Sequence, residues 1–107
     1  MNLNRNPLMD ELVPSEFYLS QNYPNPFSEK TTIKYCVAYK TKVTLKVFSA
    51  EDKMIEKLLD EEKEAGTYEI EFDTVEPHRD ASLQSGSYFY RLIAGDYKCE
   101  KEMFLSK

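Results

Sequence analysis

This sequence predicts an all-β fold, a sandwich or a barrel of about seven short strands. Three observations carry the prediction. Apolar and polar residues alternate with period two from Phe17 onward. Turn-forming residues separate the alternating runs at short intervals. The chain has 107 residues with eight tyrosines and six phenylalanines, which is enough ring volume to fill one core and too little length for a second.

Taken in order, Met1 to Glu16 mixes Asn, Pro and charge without periodicity and is expected to be a flexible lead, which puts the folded domain at residues 17–107. In Tyr23-Pro24-Asn25-Pro26-Phe27 each proline fixes its own φ and biases the residue before it toward extended backbone. This segment is expected to cross from one sheet edge to the next, with Tyr23 and Phe27 both covering the core. Ile33, Tyr35 and Val37 point one way while Lys34 and Cys36 point the other; Val43, Leu45 and Val47 repeat the arrangement against Thr44 and Lys46.

Ala50 to Glu64 is rich in helix formers, and Met54, Ile55, Leu58 and Leu59 have helical spacing. A strand is nevertheless expected there, because a helix would leave Tyr68 to Asp73 without a hairpin partner. Glu61, Glu62 and Glu64 with Lys63 read as a polar turn. Two further strands follow, with Tyr68, Ile70 and Phe72 on one face of the first and Tyr88, Tyr90 and Leu92 on one face of the second. In Tyr97 to Leu105, Met103 and Leu105 share a face with Lys101 while Phe104 falls on the other, so a bulge or a two-sided strand is expected. Turns are assigned to Ser49–Lys53, Glu64–Gly66, Ser85–Gly86 and Ala94–Asp96.

Composition narrows the function. A formal charge of -5 repels phosphate backbones, so nucleic acid is not expected as a partner. No apolar run approaches the roughly 18 residues that span a bilayer, so membrane insertion is not expected, and the printed chain shows no signal-peptide pattern. Cys36 and Cys99 lack paired-cysteine metal spacing; free, partly buried thiols are expected, with one disulfide as the alternative. Asp73, Glu76, His78 and Asp80 are oxygen-rich but lack the spacing of a calcium loop, so a solvated loop is the better reading. With a single histidine and no catalytic or phosphate-binding motif, neither an enzyme nor a cofactor is expected.

Several segments, in order, resemble a known family. Gln21-Asn22-Tyr23-Pro24-Asn25-Pro26-Phe27 followed by Thr31-Thr32-Ile33-Lys34-Tyr35 is similar to the opening of the C-terminal sorting domains on cargo of the type IX (Por) secretion system of Bacteroidetes-related bacteria. The resemblance continues through Lys42 to Phe48, Ala65 to Tyr68, Ser85-Gly86-Ser87-Tyr88-Phe89-Tyr90-Arg91-Leu92 and Lys101 to Lys107. The pattern is also similar to the immunoglobulin-like domain of the flagellar hook-capping protein, with Phe72-Asp73 through Arg79-Asp80 in place of its aspartate-rich loop. Both resemblances imply an immunoglobulin-like antiparallel β-sandwich.

The sorting-domain resemblance implies a protein partner in the secretion translocon. It also implies a route from the periplasm to the outer membrane, the cell surface or the medium. The residues it points to are Pro24, Asn25, Pro26, Phe27, Gly86, Tyr88, Tyr90, Arg91, Lys101, Met103, Leu105 and Lys107. The printed chain starts at its own Met1 with no cargo ahead of the sandwich, so two alternatives accompany this reading: a fragment of a longer protein, or a stand-alone adaptor subunit that binds a larger partner. Outward parity of Phe48, Phe89 and Phe104 motivates the adaptor, because rings on the solvent side of several strands could form one patch.

Overall fold

Inward-facing side chains from two antiparallel sheets meet in one core, as the alternation requires. The computed structural model describes residues 14–75 and 83–107. Its strands are β1 (Tyr18–Leu19), β2 (Lys30–Val37), β3 (Thr41–Ser49), β4 (Met54–Lys63), β5 (Gly66–Asp73), β6 (Gly86–Ala94) and β7 (Tyr97–Leu105). One sheet runs β1-β2-β5 and the other β4-β3-β6-β7. This is the layer order of an immunoglobulin-like sandwich in which the fourth strand pairs with the third. No helix forms over 50–64, but the strand there, β4, pairs with β3 and is not the hairpin partner expected for Tyr68 to Asp73, which pair with β2 in the other sheet.

The core follows the predicted parity. Ile33, Tyr35 and Val37 of β2 face Val43, Leu45 and Val47 of β3, Tyr90 and Leu92 of β6 and Met103 of β7, and all are buried. Phe72 closes the core from β5, where Tyr68 and Ile70 are only half-buried because β5 is an edge. Tyr68 stacks on its cross-strand partner Tyr35 with centroids 5.4 Å apart.

Three local expectations change. The register of β6 with β7 runs without a shift from Gly86↔Leu105 to Ala94↔Tyr97, so of the two alternatives for β7 the bulge is absent and the two-sided strand stands, with Met103 and Leu105 buried and Phe104 outward. Bulges interrupt the β3–β4 pairing instead, where Leu45↔Leu59 is followed by Lys46↔Lys57 and Val47↔Glu56 by Phe48↔Met54. Each bulge adds one residue to β4. Ile55, Leu58 and Leu59 therefore all reach half-buried positions, and a strand acquires spacing that imitates a helix. Glu61, Glu62 and Lys63 are the end of β4, not a turn; they pair with Val43, Lys42 and Thr41. Tyr23, finally, is 80% exposed and contributes nothing to the core, whereas Phe27 is buried.

The predicted turns are in place. Asp52 takes a φ of 65° in the β3–β4 hairpin, where a short polar side chain tolerates the left-handed region. Gly95 does the same between β6 and β7 at 61°. Cys36 and Cys99 are free thiols on different sheets, β2 and β7. Among the described residues no cluster of His, Cys, Asp or Glu could hold a metal, and Glu76, His78 and Asp80 lie outside them. Among the described residues no helix is long and apolar enough to cross a membrane.

Burial of phenols makes the fold sensitive to alkali. The Tyr35 hydroxyl is pushed up to about 12, first by burial and then by the neighbouring Tyr68 and Glu61; burial raises Tyr90 as well. Below the ordinary phenol value of about 10 both states hold the proton and the stability is fully present. Above it the unfolded chain ionises first, so stability is lost as pH rises toward the folded value. Urea midpoints measured by circular dichroism are expected to fall between about pH 10 and 12, and Tyr35→Phe is expected to flatten that slope.

Candidate functional site

β7 is the last strand of its sheet, so one of its edges faces away from β6. Unpaired N–H and C=O groups on such an edge must be covered or solvated. The covering segment is the Gln21–Phe27 strap. Phe27 donates its N–H to the Phe104 carbonyl at 3.0 Å and accepts from the Ser106 N–H at 2.8 Å, which makes a parallel bridge to Leu105. Asn25 Oδ1 accepts from the Phe104 N–H at 2.9 Å, and Gln21 Nε2 donates to the Glu102 carbonyl at 2.7 Å.

The strap's composition explains this mixed pattern. Pro24 and Pro26 have no N–H to give, so a regular ladder is impossible and the side chains of Gln21 and Asn25 serve in its place. Both prolines follow cis peptide bonds. Behind them lies a knot of buried polar groups: Asn22 Nδ2 donates to Thr31 Oγ1 at 3.0 Å and to the Pro24 carbonyl at 3.1 Å, and Thr31 Oγ1 donates to the same carbonyl at 2.8 Å. Tyr90 reaches across the core to the start of the strap, giving its hydroxyl proton to the Ser20 carbonyl at 2.6 Å. Phe27 anchors the far end in the core, edge-on to Phe72 with centroids 6.2 Å apart.

Most of the residues singled out in the sequence therefore converge on one pole. Gly86 pairs with Leu105 and Tyr88 with Met103, while Lys107 donates its N–H to Ser85 Oγ at 2.9 Å. Gly86 has a φ of 145°, a region that favours glycine. Tyr88 gives its hydroxyl to the Gln84 carbonyl at 2.7 Å, the tyrosine-corner contact of immunoglobulin-like sandwiches. Phe27, Tyr88, Tyr90, Met103 and Leu105 are buried, and Lys101, opposite Tyr90, is half-buried. Pro24, Asn25, Pro26 and Lys107 are exposed.

Phe48, Phe89 and Phe104 do share the outer face of the four-stranded sheet. Phe48 and Phe89 are cross-strand partners, and Phe104 sits opposite Ser87, on the diagonal from Phe89. Arg91 lies over the Phe48 ring, with its guanidinium carbon 4.2 Å from the centroid. It is held there by Glu100 at 2.9 Å and Asp52 at 3.4 Å; the Glu100 hydrogen bond also raises its pKa.

One cluster has no counterpart in the sequence reading. At the opposite pole Phe17 meets Tyr39 edge-on at 5.0 Å and stacks on Tyr97 at 5.6 Å, beside an open cleft that Ser15 and Asp96 also line. Turn tips have no periodicity, so only the abundance of tyrosine hinted at it. The clasp fixes where the chain enters the sandwich. Tyr97 and Leu105 end the same strand, so entry and C-terminus are separated by about 26 Å at a rise of about 3.3 Å per residue.

The geometry makes the strap a measurable constraint. Asn25→Ala is expected to cost about 1 kcal/mol and to speed exchange of the Phe104 amide with solvent, read by hydrogen-exchange NMR. Phe27→Ala, which empties a core site, is expected to cost about 3–5 kcal/mol in urea unfolding.

Comparison with known proteins addresses the identity of this architecture. A search of curated proteins finds no match. The family described as Secretion system C-terminal sorting domain matches residues 21–106, from the first residue of the strap to the residue after β7. Because that match takes in both the cover and the strand it covers, the protein belongs to the C-terminal sorting domains, the sorting signals of type IX secretion recognised by secretion machinery proteins.

Proposed function

We propose that this domain acts without chemistry of its own, as a folded module that is bound by the type IX translocon and directs attached cargo to the cell surface. The observation that carries the reading is the enclosure of the C-terminal strand. β7 is held by β6 on one edge and by the strap on the other, so the segment that resembles the family's signal is part of a folded shape and not a loose tail. The polar layout supports it too. Cargo placed ahead of Phe17 would join at the Tyr39–Tyr97 clasp, leaving the C-terminal pole free for a receptor.

A second reading has one observation in its favour: the contiguous row of Phe48, Phe89 and Phe104 would also suit a stand-alone adaptor that presents an aromatic face to a larger subunit. A free species comigrating with a soluble complex in size-exclusion chromatography would favour the adaptor. Detection only as the tail of a large envelope or secreted protein would favour sorting.

The direct test fuses residues 17–107 behind a reporter that carries a signal peptide, in a host competent for type IX secretion. The reporter is expected at the cell surface, by protease shaving and immunoblot. Retention in the periplasm would overturn the proposal.

A further inference from the structure

We propose that the secretion machinery reads this domain through the outer side-chain face of its four-stranded sheet, along the row Phe104, Phe89 and Phe48, and not by adding a strand to β7. The inference rests on the sorting role proposed above and names the surface that serves it.

A strand can be approached from two edges and two faces, and for the C-terminal part of β7 three of these are closed. One edge is in register with β6 along its whole length. The other carries the strap from Glu102 to Ser106, and removing the strap would pull Phe27 out of the core and break the Asn22–Thr31–Pro24 knot. The inner face buries Met103 and Leu105. What remains is the outer face, where Phe104 is 44% exposed. From it the aromatic row crosses β6 and β3 and ends at Met54 of β4, which is opposite Phe48 and half exposed.

The single cation pinned beside the row is already paired. Arg91 is held by both Glu100 and Asp52, and Glu102 lies opposite Phe89, so the charge flanking the row is net negative and does not attract a polyanion. A contiguous apolar row with an acidic flank fits an apolar groove on a protein, and the family's partners are secretion machinery proteins. Strand addition has poor sites elsewhere too. The other sheet edges are β1, which is two residues long, β4, which is bulged and highly charged, and β5, whose outer positions are Thr67, Glu69, Glu71 and Asp73.

The experiment uses the full 107-residue chain behind a signal-peptide-bearing reporter, scored for surface delivery, with each variant's melting temperature measured on the purified chain. Phe104→Ser, and Phe104→Ser with Phe89→Ser, are expected to melt close to the parent and to lower delivery by about tenfold or more. Glu71→Ser, on the outer face of the other sheet, is expected to be delivered like the parent. Since Phe89 is half-buried, the single Phe104 variant decides the matter if the double variant fails to fold. Delivery of folded Phe104→Ser at the parental level would overturn the proposal. So would improved delivery of Gln21→Ala with Asn25→Ala, since baring the edge would then help. If the parent fusion itself is not delivered, the sorting role falls and takes this surface with it; if only the Phe104 result is negative, the sorting role stands.

Discussion

β7 ends a sheet, and the backbone groups along its outer edge must be hydrogen-bonded or left to water. In this protein the parallel bridge between Phe27 and Leu105 meets that constraint, and much of the C-terminal pole depends on it. The bridge fixes where Phe27 enters the core. It also ties a segment near the start of the fold to the last strand, so neither is complete without the other. A ladder would have been the simpler solution, but the two prolines rule it out. Amide side chains fill the gap, which gives Gln21 and Asn25 roles that substitution by apolar residues would remove.

Tyrosine is the second organising element. A small sandwich must fill its core with large side chains while still satisfying the backbone groups at its rim. A buried tyrosine does both, because its ring packs and its hydroxyl reaches outward. Tyr68 donates to the Glu64 carbonyl and Tyr88 to the Gln84 carbonyl, each four residues back, so each pins the turn that precedes its own strand. Tyr90 works over a longer range, joining β6 to Ser20 and hence to the strap. The two sheets are thus coupled by directional bonds as well as by apolar contact.

The surface charge has a humbler part. Lys40, Lys42, Lys57 and Lys63 meet carboxylates of the β4 region at 2.9–3.9 Å, and all of these pairs are solvated. Each contributes at most about 1 kcal/mol, so they do not hold the fold together. Their use lies in covering β4, an edge strand that would otherwise present half-buried Ile55, Leu58 and Leu59 to any passing strand. The bulges assist by breaking its regularity. Against this charged flank, the outer row of phenylalanines is an apolar stretch of the same sheet.

The sequence by itself determined the strands from β2 to β7, most of their inward residues, the turns between them and the family, because alternation, turn chemistry and motif order are local signals carried by neighbouring residues. It also indicated the pole: Phe27, Gly86, Tyr88 and Leu105 were marked and do meet. Tertiary structure alone decided how they meet. The bond from Phe104 to Asn25 joins residues far apart in the chain, and no periodicity encodes such a pairing. Tyr23 and Phe27 look alike in sequence, yet one is exposed and the other buried, since the strap can turn only one ring inward. The bulges of β4 and the Phe17–Tyr39–Tyr97 clasp were hidden for the same reason: each depends on what a neighbouring strand or loop places opposite.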